Sequence, residues 1–289
     1  RDVAPSRGLG DVYKRQVDIQ NSYRKIIEIM KNILEEIAAR TRERIAKEKT
    51  CISVSELENR IQEVNKNARQ KITFLQALQK DGMSYICEVK KASPSKGLIA
   101  PDFPYLAIAK EYEQAGASAI SCLTEPFYFQ GADQYLREIS AAVQIPVLRK
   151  DFTVDEYMIY QAKSLGASAV LIICAILDDG ELRAYRQLAK ELGLDALVEA
   201  HDEYEVDRAL NLGAEIVGVN NRDLRTFQVD MNNSIRLRKM APDNVVFVSE
   251  SGIRTPEDIR ILYENKVDGV LIGDCLLYTS PSPRDGATS

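Results

Sequence analysis

From residue 85 onward the chain alternates short apolar runs with longer amphipathic ones. The apolar runs are Tyr85–Lys90, Ala119–Thr124, Pro146–Lys150, Ala169–Ile173, Ala196–Glu199, Ile216–Val219, Val245–Glu250 and Gly269–Gly273. They are rich in β-branched residues and continuous rather than alternating, the pattern of parallel strands covered on both faces. Between them the spacing of apolar positions predicts helices over Leu106–Gln114, Tyr135–Val143, Glu156–Leu165, Leu182–Leu192, Glu203–Leu212 and Pro256–Asn265. Three of these end on Ala115-Gly116-Ala117, Leu165-Gly166-Ala167 and Leu212-Gly213-Ala214, each with glycine where a left-handed cap precedes re-entry into a strand. The strand starts span 184 residues over seven intervals, one βα unit to each. Eight such units predict an α/β fold, a (β/α)8 TIM barrel, over an open doubly wound sheet. No GxGxxG follows the first strand, which weakens the dinucleotide-binding alternative further.

Ahead of the barrel, residues 32–49 read as one charged helix. Ser53-Val54-Ser55-Glu56 opens a second with a capping box, and Thr73–Gln79 makes a third. This N-terminal helical extension, residues 17–84, is expected against the barrel's mouth or floor, with the barrel itself at 85–274. Residues 1–16 and 275–289 differ in character, rich in Pro, Ser, Gly, Arg and Asp without a strand or helix period. They are expected to be linker or vector sequence, with Met30 the natural start and the last barrel helix replaced by a foreign tail.

Composition narrows the function classes. The 289 residues carry 38 basic and 43 acidic side chains, a net charge of −5, so no surface for nucleic acid is advertised. No charge-free stretch is long enough to cross a bilayer, and no secretory signal is visible. The five cysteines are odd in number and lack CxxC spacing, and Cys87, Cys122 and Cys174 sit in apolar runs as core fillers. A reducing cytoplasm is the expected setting. The single histidine, His201, has no partners at ligand spacing, so no metal is expected.

Catalytic residues of such barrels stand at the C-terminal ends of strands. Here those ends read Glu88-Val89-Lys90-Lys91, Arg149-Lys150-Asp151, Glu199-Ala200-His201, Asn220-Asn221-Arg222-Asp223, Ser249-Glu250-Ser251-Gly252 and Ile272-Gly273-Asp274. Alternation along a strand gives Glu88 and Lys90 one direction and Cys87 the other. Lysine and glutamate enclosed together shift each other's pKa, the basis of acid–base chemistry without histidine. Gly252 and Gly273 let backbone N–H groups approach a phosphate, with Ser93, Ser95 and Lys96 facing them from the first loop.

In this order and spacing, Glu88-Val89-Lys90-Lys91-Ala92-Ser93-Pro94-Ser95, Leu148-Arg149-Lys150-Asp151-Phe152, Leu197-Val198-Glu199-Ala200-His201, Val219-Asn220-Asn221-Arg222-Asp223-Leu224 and Ser249-Glu250-Ser251-Gly252-Ile253 are specific. Over roughly residues 30 to 274 the chain resembles indole-3-glycerol phosphate synthase of tryptophan biosynthesis. The resemblance implies ring closure of 1-(2-carboxyphenylamino)-1-deoxyribulose 5-phosphate with loss of carbon dioxide and water, without a cofactor. It implies Lys150 as general acid and Lys90 as the second lysine, holding carboxylate or phosphate. Glu199 would serve the later proton transfer, and Glu88 and Glu250 would orient the lysines. Asn220 and Arg222 would position sugar hydroxyl and carboxylate, and Ser93, Ser251, Gly252, Gly273 and Asp274 would line the anthranilate and phosphate ends. Which lysine serves which proton transfer stays open. The lysines are expected to be acidified by one another and by Arg222. In the family a helix after strand eight helps grip the phosphate, so a chain lacking it is expected to be weak or inactive.

Two rivals are weighed. A phosphoribosylanthranilate isomerase-like barrel would use Cys87 with an aspartate at the end of strand six, where Asn220 stands instead. A non-catalytic or truncated barrel would present helix 32–49 as an interaction surface, but it has no need to keep Lys90, Lys150 and Glu199 together.

Overall fold

The structure is a computed structural model that describes residues 33–67, 72–94, 97–223 and 228–273. The eight expected strands are present: β1 Ser84–Val89, β2 Ala119–Leu123, β3 Val147–Lys150, β4 Ala169–Ile173, β5 Asp195–Ala200, β6 Ile216–Asn220, β7 Val246–Glu250 and β8 Gly269–Ile272. All pair in parallel with their neighbours in sequence, and β8 closes on β1 with Ser84 opposite Gly269. The expected terminal segments, Asp274, Ser95 and Lys96 lie outside the described residues.

Alternation along each strand builds two cores. Cys87, Val89, Ile120, Val170 and Val217 point outward into the layer shared with the helices. Ile86, Leu148, Leu171, Leu197, Val248 and Leu271 fill the lumen, a packed interior rather than a channel. The outer ring holds α4 Tyr105–Gln114, α5 Asp133–Ala142, α6 Glu156–Ser164, α7 Asp179–Glu191, α8 Glu203–Asn211, α9 Asn232–Arg238 and α10 Pro256–Glu264. The glycine stops work as read: Gly116 has φ 92°, and Ala117 N–H reaches the Tyr112 carbonyl at 3.0 Å while Gly116 N–H reaches Glu113. That pair of bonds satisfies the last carbonyls of α4, and Gly166 and Gly213 repeat it. Among the described residues no helix is long and apolar enough to cross a membrane.

Helix α9 was not foreseen. Its sequence, Asn232-Asn233-Ser234-Ile235-Arg236-Leu237-Arg238, is short and lacks a capping side chain, so it is held by tertiary contacts, with Ser234 and Leu237 fully buried.

The extension closes both ends of the ring. Helix α1 covers 33–51, α2 runs Val54–Asn67 and α3 runs Phe74–Leu78. Thr73 caps α3 in a reciprocal box with Gln76, and Leu75 N–H donates to Asp195 Oδ2 at 2.8 Å, at the start of β5. Phe74 thereby enters the lumen core from the floor, fully buried. Helix α1 lies over the mouth: Ile37 joins the lumen core, and Arg44 Nη2 donates to both Asp151 oxygens at 3.1 and 3.0 Å. Asp151 is itself buried against Arg149 and Thr124, and Arg149 reaches on to Asp133 at 2.9 Å. Burial pushes the Asp151 carboxyl up, but Arg44 and Arg149 outweigh it and hold it below the usual range.

Two substitutions measure these ends. Phe74→Ala is expected to cost about 3–5 kcal/mol in urea denaturation, the range for emptying a fully buried aromatic site. Arg149→Met is expected to cost about 3–5 kcal/mol, because it leaves the buried Asp151 carboxylate short of a cation.

Candidate active site

The strands end around a cavity of about 300 Å³ at the barrel's C-terminal mouth. Glu88, Lys90, Ser93, Lys150, Glu199, Asn220, Arg222, Glu250, Ser251, Gly252 and Gly273 all line it. The expected site residues among the described ones are therefore brought together, while Ser95, Lys96 and Asp274 lie outside them.

The centre is Lys150. As the last residue of β3 it points inward, and its Nζ donates to Glu199 Oε2 of β5 and to Glu250 Oε2 of β7, each at 2.8 Å. Lys90 stands apart, its Nζ 2.5 Å from Glu88 Oε1, so the shared direction read from strand alternation is observed. Asn220, ending β6, lies with Nδ2 3.4 Å from Glu199 Oε1 and accepts the Arg222 backbone N–H at 3.0 Å.

These distances overturn one expectation. The lysines were expected to acidify each other, yet each sits on carboxylates. Burial pulls the Lys150 ammonium down, but Glu199, Glu250 and Glu88 outweigh it and hold its pKa above that of an ordinary lysine. The two carboxylates then part company. Burial raises both; the Lys150 charge, with His201, brings Glu199 down to about 2. Glu250 stays raised, to about 7, because burial and the Glu199 charge exceed what is left of Lys150's attraction. A single cation shared by two buried carboxylates favours the charged form of one over that of the other.

The backbone is cut to fit these side chains. At Gly218, inside β6, an added Cβ would collide with Glu250 Oε1. A glycine within a β-branched strand signals such an approach, and sequence reading passed over this one. At Gly273 a Cβ would come 3.2 Å from Glu88 Oε1 and 3.3 Å from Lys90 Nζ. Ser251 and Gly252 turn with positive φ, 68° and 90°. That turn is held by buried Asn221, whose Nδ2 donates to the Ser251 carbonyl at 3.1 Å and to Ser249 Oγ at 2.9 Å. Ser234 of α9 completes the network, donating to Asn221 Oδ1 from Oγ at 2.7 Å.

Opposite the charges lies an apolar wall missed in the sequence. Phe129 and Phe152 stand with ring centroids 6.2 Å apart, and Ile33, Leu34 and Ile37 of α1 roof them. Phe129 is presented by a loop wound on buried Glu125, which accepts the backbone N–H groups of residues 127, 128 and 129 at 2.7–3.0 Å. A short antiparallel pair, Ala92–Ser93 with Gly97–Leu98, sets Ser93 at the rim, and Arg254 adds a cation there. Cys87 points away into the outer core, with burial pushing its thiol up to about 12, so it cannot serve the isomerase-like reading.

The comparisons agree with this geometry. The family described as Indole-3-glycerol phosphate synthase matches residues 34–283. A protein of that name from Lacticaseibacillus paracasei is 53% identical over 248 residues, covering 86% of this chain and 95% of its own. Another, from Ruminiclostridium cellulolyticum, is 52% identical over 246 residues, covering 85% and 94%. A solved N-acetylmannosamine-6-phosphate 2-epimerase from Clostridium perfringens superposes with TM-score 0.56 at 13% identity, over 75% of this chain and 95% of its own, and shares the fold alone. With the family match spanning the barrel and most of the extension, the chain belongs to the indole-3-glycerol phosphate synthase family, decarboxylating lyases of tryptophan biosynthesis.

Proposed function

We propose that Lys150 drives the family's ring closure as the proton donor, on the observation that carries most weight: its ammonium is fixed between Glu199 and Glu250 at the base of the cavity. The substrate is 1-(2-carboxyphenylamino)-1-deoxyribulose 5-phosphate, an aromatic ring with a carboxylate, a ketone and a phosphate. Phe129, Phe152 and the α1 roof suit its ring. Lys90, Arg222 and Arg254 at the rim suit its anions, with Ser93, Ser251, Gly252 and Gly273 lining the anthranilate and phosphate ends.

In the first step the ring carbon bearing the carboxylate bonds to the ketone carbon, and the ketone oxygen takes a proton from Lys150. A developing alkoxide is a strong base, so a well-placed ammonium serves as the donor without prior acidification. Carbon dioxide then leaves and its bonding pair restores the aromatic ring. Finally Lys90 gives a proton to the new hydroxyl, which departs as water, while Glu199, ionised and adjacent, accepts the proton lost from the substrate. Lys90, held by Glu88, binds the anion and assists the departing hydroxyl. Asn220 and Glu250 keep Glu199 and Lys150 in register. Free Cys51, Cys87, Cys122 and Cys174 support a reducing, cytoplasmic setting.

Lys150→Ala is expected to lower turnover by about two to four orders of magnitude, with the circular dichroism spectrum intact. Near-normal carbon dioxide release from that variant would remove Lys150 from the mechanism. Glu250 gives a second test through stability. Its folded pKa of about 7 lies above the ordinary glutamate value of 4.5. Between these values the unfolded chain has released a proton that the fold still holds, so this group costs stability as pH rises through the window. Glu199 has the opposite sign: its stabilisation is complete above 4.5 and is lost as pH falls toward about 2. Glu250→Gln is therefore expected to gain about 5 °C in Tm on the parent between about pH 5 and about pH 8. A Tm difference independent of pH contradicts the assignment.

A further inference from the structure

Glu199 meets two more residues on the side away from Lys150. Its Oε1 lies 3.4 Å from Asn220 Nδ2 and 3.5 Å from His201 Nε2. His201 directly follows β5, and α8 orients its ring. Glu205 Oε2 accepts the His201 backbone N–H at 2.8 Å and lies 3.0 Å from Nδ1. Asn233 of α9 donates to the His201 carbonyl at 3.0 Å, so backbone and ring are both fixed. His201 Nε2 is buried, yet it makes no hydrogen bond among the described residues. It points at a carboxylate oxygen about half an ångström beyond ordinary bonding distance. The acidic groups acting on the ring are Glu205 from α8, Glu199 from β5 and, most weakly, Glu250 from β7. Burial pulls the imidazolium down, and these three carboxylates outweigh it, holding the ring above its ordinary pKa.

We propose that His201 is a positioning residue for the reaction: braced by Glu205, its Nε2–H closes on Glu199 Oε1 and leaves Oε2 as the oxygen that takes the substrate's proton. This rests on the reading of Glu199 as the late proton acceptor. A carboxylate has two equivalent oxygens and can swing between them. Donors on Oε1 from His201 and Asn220 remove that freedom and commit Oε2, the atom beside Lys150. Charge gives a second reason. When Lys150 passes its proton to the ketone oxygen it becomes neutral, and Glu199 loses its nearest cation. The imidazolium behind it is the cation that remains, and it keeps Glu199 ionised until the dehydration step. No bond to His201 forms or breaks. The proton that arrives on Oε2 is the one the substrate loses.

The test uses the full chain, with His201→Leu, His201→Gln and Glu199→Gln compared by kcat, KM and the pH dependence of kcat, and folding followed by thermal melting. His201→Leu is expected to lower kcat about 10- to 100-fold, the worth of a hydrogen bond to a charged group. Its KM should stay within about twofold, since the contact matters after binding. The acid limb of kcat should move to higher pH, because Glu199 without its rear cation holds a proton more tightly. His201→Gln restores a donor without charge, so it should recover most of kcat while keeping the displaced limb. It also carries the test if the leucine variant fails to fold. Parental kcat and acid limb in the His201 variants, beside a dead Glu199→Gln, would overturn the positioning role and leave Glu199 in place. Substantial turnover in Glu199→Gln would overturn both.

Discussion

Lys150 holds its ammonium 2.8 Å from two carboxylates that stand two and four strands away around the ring. In an open sheet the tips of β3 and β7 would be roughly 19 Å apart, at about 4.8 Å per strand. Closure alone brings them to one atom, and it also supplies the enclosed medium in which that atom's charge is felt. At an effective dielectric near 20, two unit charges about 4 Å apart interact by about 4 kcal/mol. The arrangement is short of one positive charge, and much of the site follows from that deficit. Glu250 retains a proton near neutrality, Glu199 does not, and a substrate bearing phosphate and carboxylate must be met by separate cations at the rim.

The extension is part of this electrostatic design. Helix α3 seals the floor with an aromatic plug, and α1 roofs the mouth with aliphatic side chains. Arg44 joins the roof to Asp151, the residue after Lys150 in the chain. The backbone that carries the acid is thus gripped from outside the barrel, and Arg149, the residue before it, is gripped by Thr124, Asp133 and the Met158 carbonyl. Lys150 is the middle of a tethered tripeptide, with its flanking side chains serving structure while its own serves chemistry.

The barrel was legible because its signals are local and periodic. Eight continuous apolar runs and repeated glycine stops need no knowledge of partners, and polar residues at strand ends need only the rule of alternation. What stayed hidden depends on contacts between distant segments. Helix α9 has too few residues and too weak a cap to announce itself, and exists because Ser234 meets Asn221 and Ser249. The aromatic wall joins Phe129 and Phe152 from different loops. The lysine electrostatics were misread for the same reason: sequence shows that lysines and glutamates gather at one mouth, while the sign of the shift depends on which of them lie within 3 Å.

Gly218 puts a different kind of limit on the chain. In most strands a glycine is a weak point, and exchanging it for valine or alanine is a standard route to a sturdier sheet. Here the missing methyl is the space occupied by Glu250 Oε1. Mutational drift or engineering that hardens β6 at this position would push a carboxylate off the lysine it shares, so the barrel's tolerance for thermostabilising change narrows toward its chemical centre.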